Sequence, residues 1–138
     1  MSKVFLDTNI LAYLFDSASP GKHAAASEAL SQPHHYVVST QVMLELYTVL
    51  TRKLSPAYSP QEARHVIQRI CDFEVVNADA ALVDKAMQLS ATHQLSIWDS
   101  MILEAAAEAG CAVLWTEDLT SGSRLRGVTI TNPLVKRA

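Results

Sequence analysis

Five short apolar runs, separated by longer stretches of helical periodicity, limit what this chain can fold into. They are Val4–Leu6, Tyr36–Val38, Phe73–Val76, Ala112–Trp115 and Val128–Ile130, each β-branched or aromatic and bounded by turn or cap residues. Between them the spacing predicts helices over 9–17, 22–31, 40–54, 60–71, 79–92 and 97–109. Asn77 or Asp79 can cap the fifth helix, and Gly110 is placed to stop the sixth. Strands alternating with helices imply an α/β fold, with a mostly parallel five-stranded sheet covered by helices on both faces.

At 138 residues, the chain has the length of a single domain, expected to span 1–138. Hydrophobic residues at 49% and charged residues at 18% suit a packed core rather than disorder. No apolar run is long enough to cross a bilayer and no signal-peptide pattern is present, so the expected location is the cytoplasm. Cys71 and Cys111 are far apart in apolar surroundings and are expected to be buried free thiols. The net charge of −3 provides no general basic field for nucleic acid. Arg124, Arg126, Lys136 and Arg137 cluster late in the chain, as either a solvated tail or a phosphate-binding patch.

Four acids stand in apolar settings. Asp7 interrupts Val4-Phe5-Leu6-Asp7-Thr8-Asn9-Ile10-Leu11, and Glu45 interrupts Val42-Met43-Leu44-Glu45-Leu46-Tyr47. Asp99 follows Ile97-Trp98, and Asp118 follows Trp115-Thr116-Glu117. Acids are rarely buried unless paired, hydrogen-bonded or bound to a cation. Asp7 ends the first strand and Asp118 lies just past the fourth. In open α/β sheets, that carboxyl-end rim is where ligands bind.

Each acid also has a plainer reading. Asp7 can cap a helix. Glu45 lies at the border of a stripe formed by Val42, Leu46, Val49 and Leu50, on a line shared with Gln41, Thr48 and Arg52. Ser96 and Asp99 have capping-box spacing. On the helical wheel, however, Asp99 falls within about 60° of Ile102, Leu103 and Ala106, whereas Glu104 and Glu108 fall opposite and are expected to be solvated. Asp118 can introduce the Thr120-Ser121-Gly122 turn, and either it or Glu117 can be the solvated member of the pair.

If all four acids met about 5 Å apart, each like-charge pair would cost about 3 kcal/mol at an effective dielectric near 20. Six pairs would cost on the order of 15–20 kcal/mol, more than a domain's stability. Such a cluster must take up protons, spread apart or hold cations. Oxygen donors favour Mg²⁺ or Mn²⁺, and such clusters suit phosphodiester hydrolysis.

In order along the chain, these segments resemble the four motifs of PIN-domain nucleases. Asp7-Thr8-Asn9 is similar to the first, Ser39 through Glu45 to the second, Ile97-Trp98-Asp99 to the third and Leu114 through Leu119 to the fourth. The most similar group is the VapC-type toxins of toxin–antitoxin pairs. The resemblance implies a three-layer α/β/α sandwich and a Mg²⁺- or Mn²⁺-dependent endoribonuclease acting on RNA, usually a homodimer silenced by a cognate antitoxin. It makes Asp7 and Asp99 the principal metal ligands, completed by Glu45 and Asp118, with Asn9 and Thr116 orienting carboxylates or waters. Two alternatives stay open: an RNA-processing PIN nuclease without an antitoxin, and a binding module whose acids are helix caps.

Other enzyme classes fail on particular residues. A haloacid-dehalogenase-like enzyme needs Asp at position 9, where Asn9 stands. A receiver domain needs a late strand-end lysine, where Thr116 stands. No glycine-rich turn follows the first strand, and His23, His34, His35, His65 and His93 lack metal-ligand spacing, as expected of surface or loop residues. Helices 40–54 and 60–71, with the segment between them, carry Leu44, Leu46, Tyr47, Leu50, Leu54 and Tyr58. That apolar surface suits either core packing or a partner helix or second protomer.

Overall fold

A computed structural model describes residues 2–135. Lys136 and Arg137, two of the late basic residues, lie outside the described residues. Strand β1 (Lys3–Leu6) leads through Asp7 into helix α1 (Thr8–Ala12), a 3-10 turn (Tyr13–Phe15) and α2 (Pro20–Leu30). β2 (His35–Ser39) is followed by α3 (Thr40–Thr48), a π-helical turn (Val49–Lys53) and α4 (Pro60–Ile70). β3 (Glu74–Val76) precedes α5 (Ala80–His93) and α6 (Ile97–Glu108), and the chain closes with β4 (Val113–Trp115), β5 (Arg124–Leu125) and β6 (Val128–Thr131). Among the described residues, no helix is long and apolar enough to cross a membrane.

Side-chain oxygens set several helix starts. Ser39 accepts from Val42 N–H, Asp79 from Leu82 N–H and Ser96 from Asp99 N–H, while Ser59 and Glu62 form a reciprocal capping box. Gly110 follows α6 with a positive φ of 74°, where a Cβ would be strained.

The strand order is β3-β2-β1-β4-β6-β5. All pairings are parallel except β5 with β6. Among the described residues the sheet has six strands rather than the expected five. The additional strand, β5, is two residues long, too short to leave a pattern, and it pairs through a turn with Arg126 and Gly127 both at positive φ. That turn suits the right-handed twist of a hairpin, but arginine at its first position hides it from sequence inspection.

Right-handed crossovers put α1 to α4 on one face and α5 and α6 on the other. α3 packs on α1 and α4, while α5 runs along α6, which lies over β2, β4 and β6. Phe5, Leu6, Ile10, Leu46, Leu50, Leu103, Leu114 and Ile130 are fully buried between the layers. Chain order moves outward from β1 to β2 and β3, then returns to β4 on the other side of β1. The crevice between the carboxyl ends of β1 and β4 is therefore the topological switch point, where such sheets bind ligands.

Two residues lie otherwise than their sequence context predicts. Glu104 is buried, not solvated: its carboxylate meets Arg126 of the β5–β6 turn at 2.9 Å, on a helix side covered by α5 and the hairpin. A helical wheel cannot see that second covering layer. Cys71 is exposed at the end of α4, its Sγ 3.9 Å from Met43 Sδ, and only Cys111 is buried. Of the five histidines, four are exposed, and His34 is half-buried, edge-on to Tyr36 and Trp115.

Candidate active site

Asp7 leaves β1 in extended conformation and caps α1. Its N–H donates to the Trp115 carbonyl at 3.0 Å, which ties the ends of β1 and β4 together. The side chain is only 6% exposed. Oδ1 accepts the Thr8 N–H at 2.7 Å, and Oδ2 accepts the Thr116 hydroxyl at 2.8 Å. Burial pushes its pKa up to about 6; the bonds from Thr116 and Thr8 pull the other way, and the charges of Asp118 and Glu45 add to the rise. Asp118 and Glu45 therefore lie close enough to act on Asp7.

Glu45 stands half-buried on α3. The Thr8 hydroxyl donates to its Oε2 at 3.3 Å and the Gln41 amide to its Oε1 at 2.5 Å. The same Gln41 amide reaches the Trp98 carbonyl at 3.3 Å, linking α3 to the head of α6. Gln41 and Thr8 were not singled out from the sequence as site residues. The signal for Gln41 was its place one turn before Glu45 on the same helical line; Thr8 had none beyond its neighbours.

Asp118 and Glu117 diverge. Asp118 accepts from the Asn9 amide at 3.0 Å, and its N–H donates to Thr116 Oγ1 at 3.1 Å. Glu117 turns away, accepting from the Tyr13 hydroxyl at 2.5 Å and from Lys22 at 3.1 Å. Asp99 occupies the first turn of α6, half-buried, where Ser96 rather than Asp99 supplies the cap.

Of the four acids, Asp7, Glu45 and Asp118 are brought together, with donors from Thr8, Thr116 and Asn9 between them and the raised pKa of Asp7 easing their repulsion. Among the described residues no hydrogen bond joins the Asp99 carboxylate to the other three. Among the described residues, no three acids, histidines or cysteines are gathered tightly enough to form a ready coordination cage. The donor set nonetheless suits a hard divalent cation, being entirely oxygen. Asn9 Oδ1 adds a buried acceptor without a donor among the described residues.

The sequence matches the PIN domain family model over residues 4–120. No curated protein matches it. The fold is similar to that of VapC20 from Mycobacterium tuberculosis, described as a toxin that cleaves the sarcin–ricin loop: 22% identity over 83% of this chain and 91% of that one, TM-score 0.67. It is also similar to a toxin–antitoxin complex from Klebsiella pneumoniae, at 20% identity over 94% and 97% of the two chains, TM-score 0.71. DNA-bound VapBC from Salmonella typhimurium shares 21% identity over 96% and 99%, TM-score 0.65. At these identities the likeness is one of fold.

Proposed function

The chain belongs to the PIN domain family, and on that premise we propose that it is a Mg²⁺- or Mn²⁺-dependent endoribonuclease and the toxin of a toxin–antitoxin pair. The observation that carries the reading is the Asp7 carboxylate, buried at the switch point of the sheet and flanked by Glu45 and Asp118. The rival in which the acids are merely caps fares badly on three of the four. Glu45 is mid-helix, Asp118 sits in a loop, and Ser96 does the capping beside Asp99.

Asp7, Glu45, Asp99 and Asp118 would hold the ion, with Asn9 Oδ1 at hand as a further oxygen. Such a cation supplies charge against the phosphate oxygens and lowers the pKa of water. The chain's own part is positioning. Thr116 and Thr8 N–H lock the Asp7 carboxylate plane, Gln41 and Thr8 aim Glu45, and Asn9 aims Asp118. Held so, the carboxylates need little reorganisation when charge develops on the substrate. With its raised pKa, Asp7 can also hold a proton near pH 6 whenever no cation is there.

An antitoxin fits the apolar groove between α3 and α4, where Met43, Leu44, Tyr47 and Ile67 face outward together. Complexes among the similar structures support such a partner. Assembly as a homodimer is part of the same reading.

The test is RNA cleavage by wild type and Asp99→Asn, with and without Mg²⁺ or Mn²⁺. Wild type should cleave only with the ion, and the variant should lose most activity. Equal cleavage by both, or none by either across metals, sinks the mechanism. Co-purification with the product of the neighbouring open reading frame tests the toxin role, and failure to co-purify counts against it.

A further inference from the structure

We propose that Trp98 is a stacking platform for an unpaired nucleobase of the RNA strand, in a recess beside Glu45; this rests on the nuclease reading above. The first turn of α6 presents two different side chains in succession. Trp98 is 66% exposed, while Asp99 next to it is half-buried. Helical geometry turns consecutive side chains about 100° apart, so one turn can offer an indole outward and a carboxylate inward. The chain's other tryptophan, Trp115, is only 9% exposed. An indole left in water so close to the carboxylates is apolar surface that the fold itself does not cover.

The recess is lined by the apolar side chains of Leu44, Ala78, Met101 and Trp98 together with the polar Gln41 and Glu45, Met101 being buried and Leu44 exposed. Among the described residues lining it there is no lysine or arginine. It therefore suits the uncharged face of a base rather than a phosphate, and base–aromatic stacking tolerates any base. It is continuous with the carboxylate site through Glu45. The Gln41 amide reaches both Glu45 Oε1, at 2.5 Å, and the Trp98 main-chain carbonyl, at 3.3 Å, which ties the backbone carrying the indole to the carboxylate. A substrate strand cut at the carboxylates has to pass beside Glu45, which lines this recess.

The test uses a short unpaired RNA oligonucleotide of mixed sequence and the full chain with Mn²⁺. Trp98→Ala should lower kcat/KM by about 5- to 150-fold, mainly through KM, and Trp98→Phe should recover most of it. On an otherwise identical RNA abasic at the cleavage-flanking nucleotide, wild type and Trp98→Ala should cleave alike. Independently of cleavage, the same RNA should quench the tryptophan fluorescence of Asp7→Asn protein, and Trp98→Phe should abolish the quench. An unchanged kcat/KM overturns the proposal, as does an equal loss on the abasic strand. A Trp98→Ala protein whose defect is a changed sedimentation mass assigns the indole to a protein interface and overturns it too. Should wild type cleave no RNA, the nuclease reading fails, and the fluorescence result alone decides the platform.

Discussion

The Thr116 hydroxyl joins Asp7 across the switch point of the sheet, donating to Oδ2 at 2.8 Å while accepting the Asp118 N–H at 3.1 Å and the Asn9 amide at 3.5 Å. One donated and two accepted bonds use the full capacity of a hydroxyl. One fully buried side chain thereby couples the strand ends that carry Asp7 and Asp118. Thr116→Val should leave Asp7 Oδ2 and the Asp118 N–H without partners and lower kcat/KM by about 10- to 100-fold, the usual scale for residues that orient ligands. Thr116→Ser should retain most activity. Steady-state cleavage assays check both, and a Val variant as active as the Ser variant would remove Thr116 from the site.

Asp7 makes the protein's stability depend on pH in an unusual direction. Its folded pKa is about 6 against an ordinary 3.8, so the native state binds the extra proton between those values. Stability from this group is present below about pH 4 and is lost as pH rises through 6, by about 3 kcal/mol in all. Denaturant unfolding in chelator should find Asp7→Asn more stable than wild type at pH 7.5, with the gap closing toward pH 4. Identical pH slopes for the two proteins would contradict the burial argument. By the same proton competition, Mn²⁺ should bind more tightly as pH rises toward 6 and then level off. At a hundredfold excess over its Kd it should add about 2.7 kcal/mol to wild type, readable as a rise in Tm.

The two neighbouring acids after β4 should separate cleanly in activity. Asp118 is held by Asn9 beside Asp7, while Glu117 is engaged by Tyr13 and Lys22. Asp118→Asn should lower cleavage by about 100-fold or more, as expected when a charged group at the reacting centre is neutralised. Glu117→Gln should change it less than about threefold, because its carboxylate is turned to Tyr13 and Lys22 rather than to Asp7 and the ion pair with half-exposed Lys22 contributes little. Comparable losses in the two variants would mean that the loop rearranges on binding substrate.

Arg126 holds two features at once, a left-handed backbone with φ of 54° and an ion pair to buried Glu104. Removing the guanidinium strands a carboxylate whose side chain is 5% exposed, although the arginine itself is 51% exposed and solvent softens the pair. Arg126→Ala should cost about 2–3 kcal/mol, and Arg126→Gly about 1 kcal/mol less than that, because glycine accepts the turn without strain. Chemical denaturation measures the difference, and equal losses would assign the whole effect to the ion pair.

The alternation of apolar runs with helical periods was legible because each strand of a buried parallel sheet must be apolar throughout. β5 was not, since two residues carry no period and its turn opens with arginine instead of asparagine or glycine. Glu104 misled for a related reason. A wheel assigns one dry side to a helix, and α6 is covered on two, so the contrast between a buried Asp99 and a solvated Glu104 does not hold. Glu45 was the weakest acid by periodicity alone, and only its contacts with Thr8 and Gln41 set it beside Asp7.

Sequence by itself determined the α/β class, the acids at two strand ends and the four-segment resemblance to PIN domains, because these depend on local periodicity and residue type. Only the tertiary structure decided which of Asp118 and Glu117 faces Asp7, which donors stand between the charges, and where the exposed indole of Trp98 lies. The physical reason is the same each time. Those relations are made by hydrogen bonds and packing between segments as far apart as Asn9 and Asp118, and no local pattern encodes the distance across a sheet.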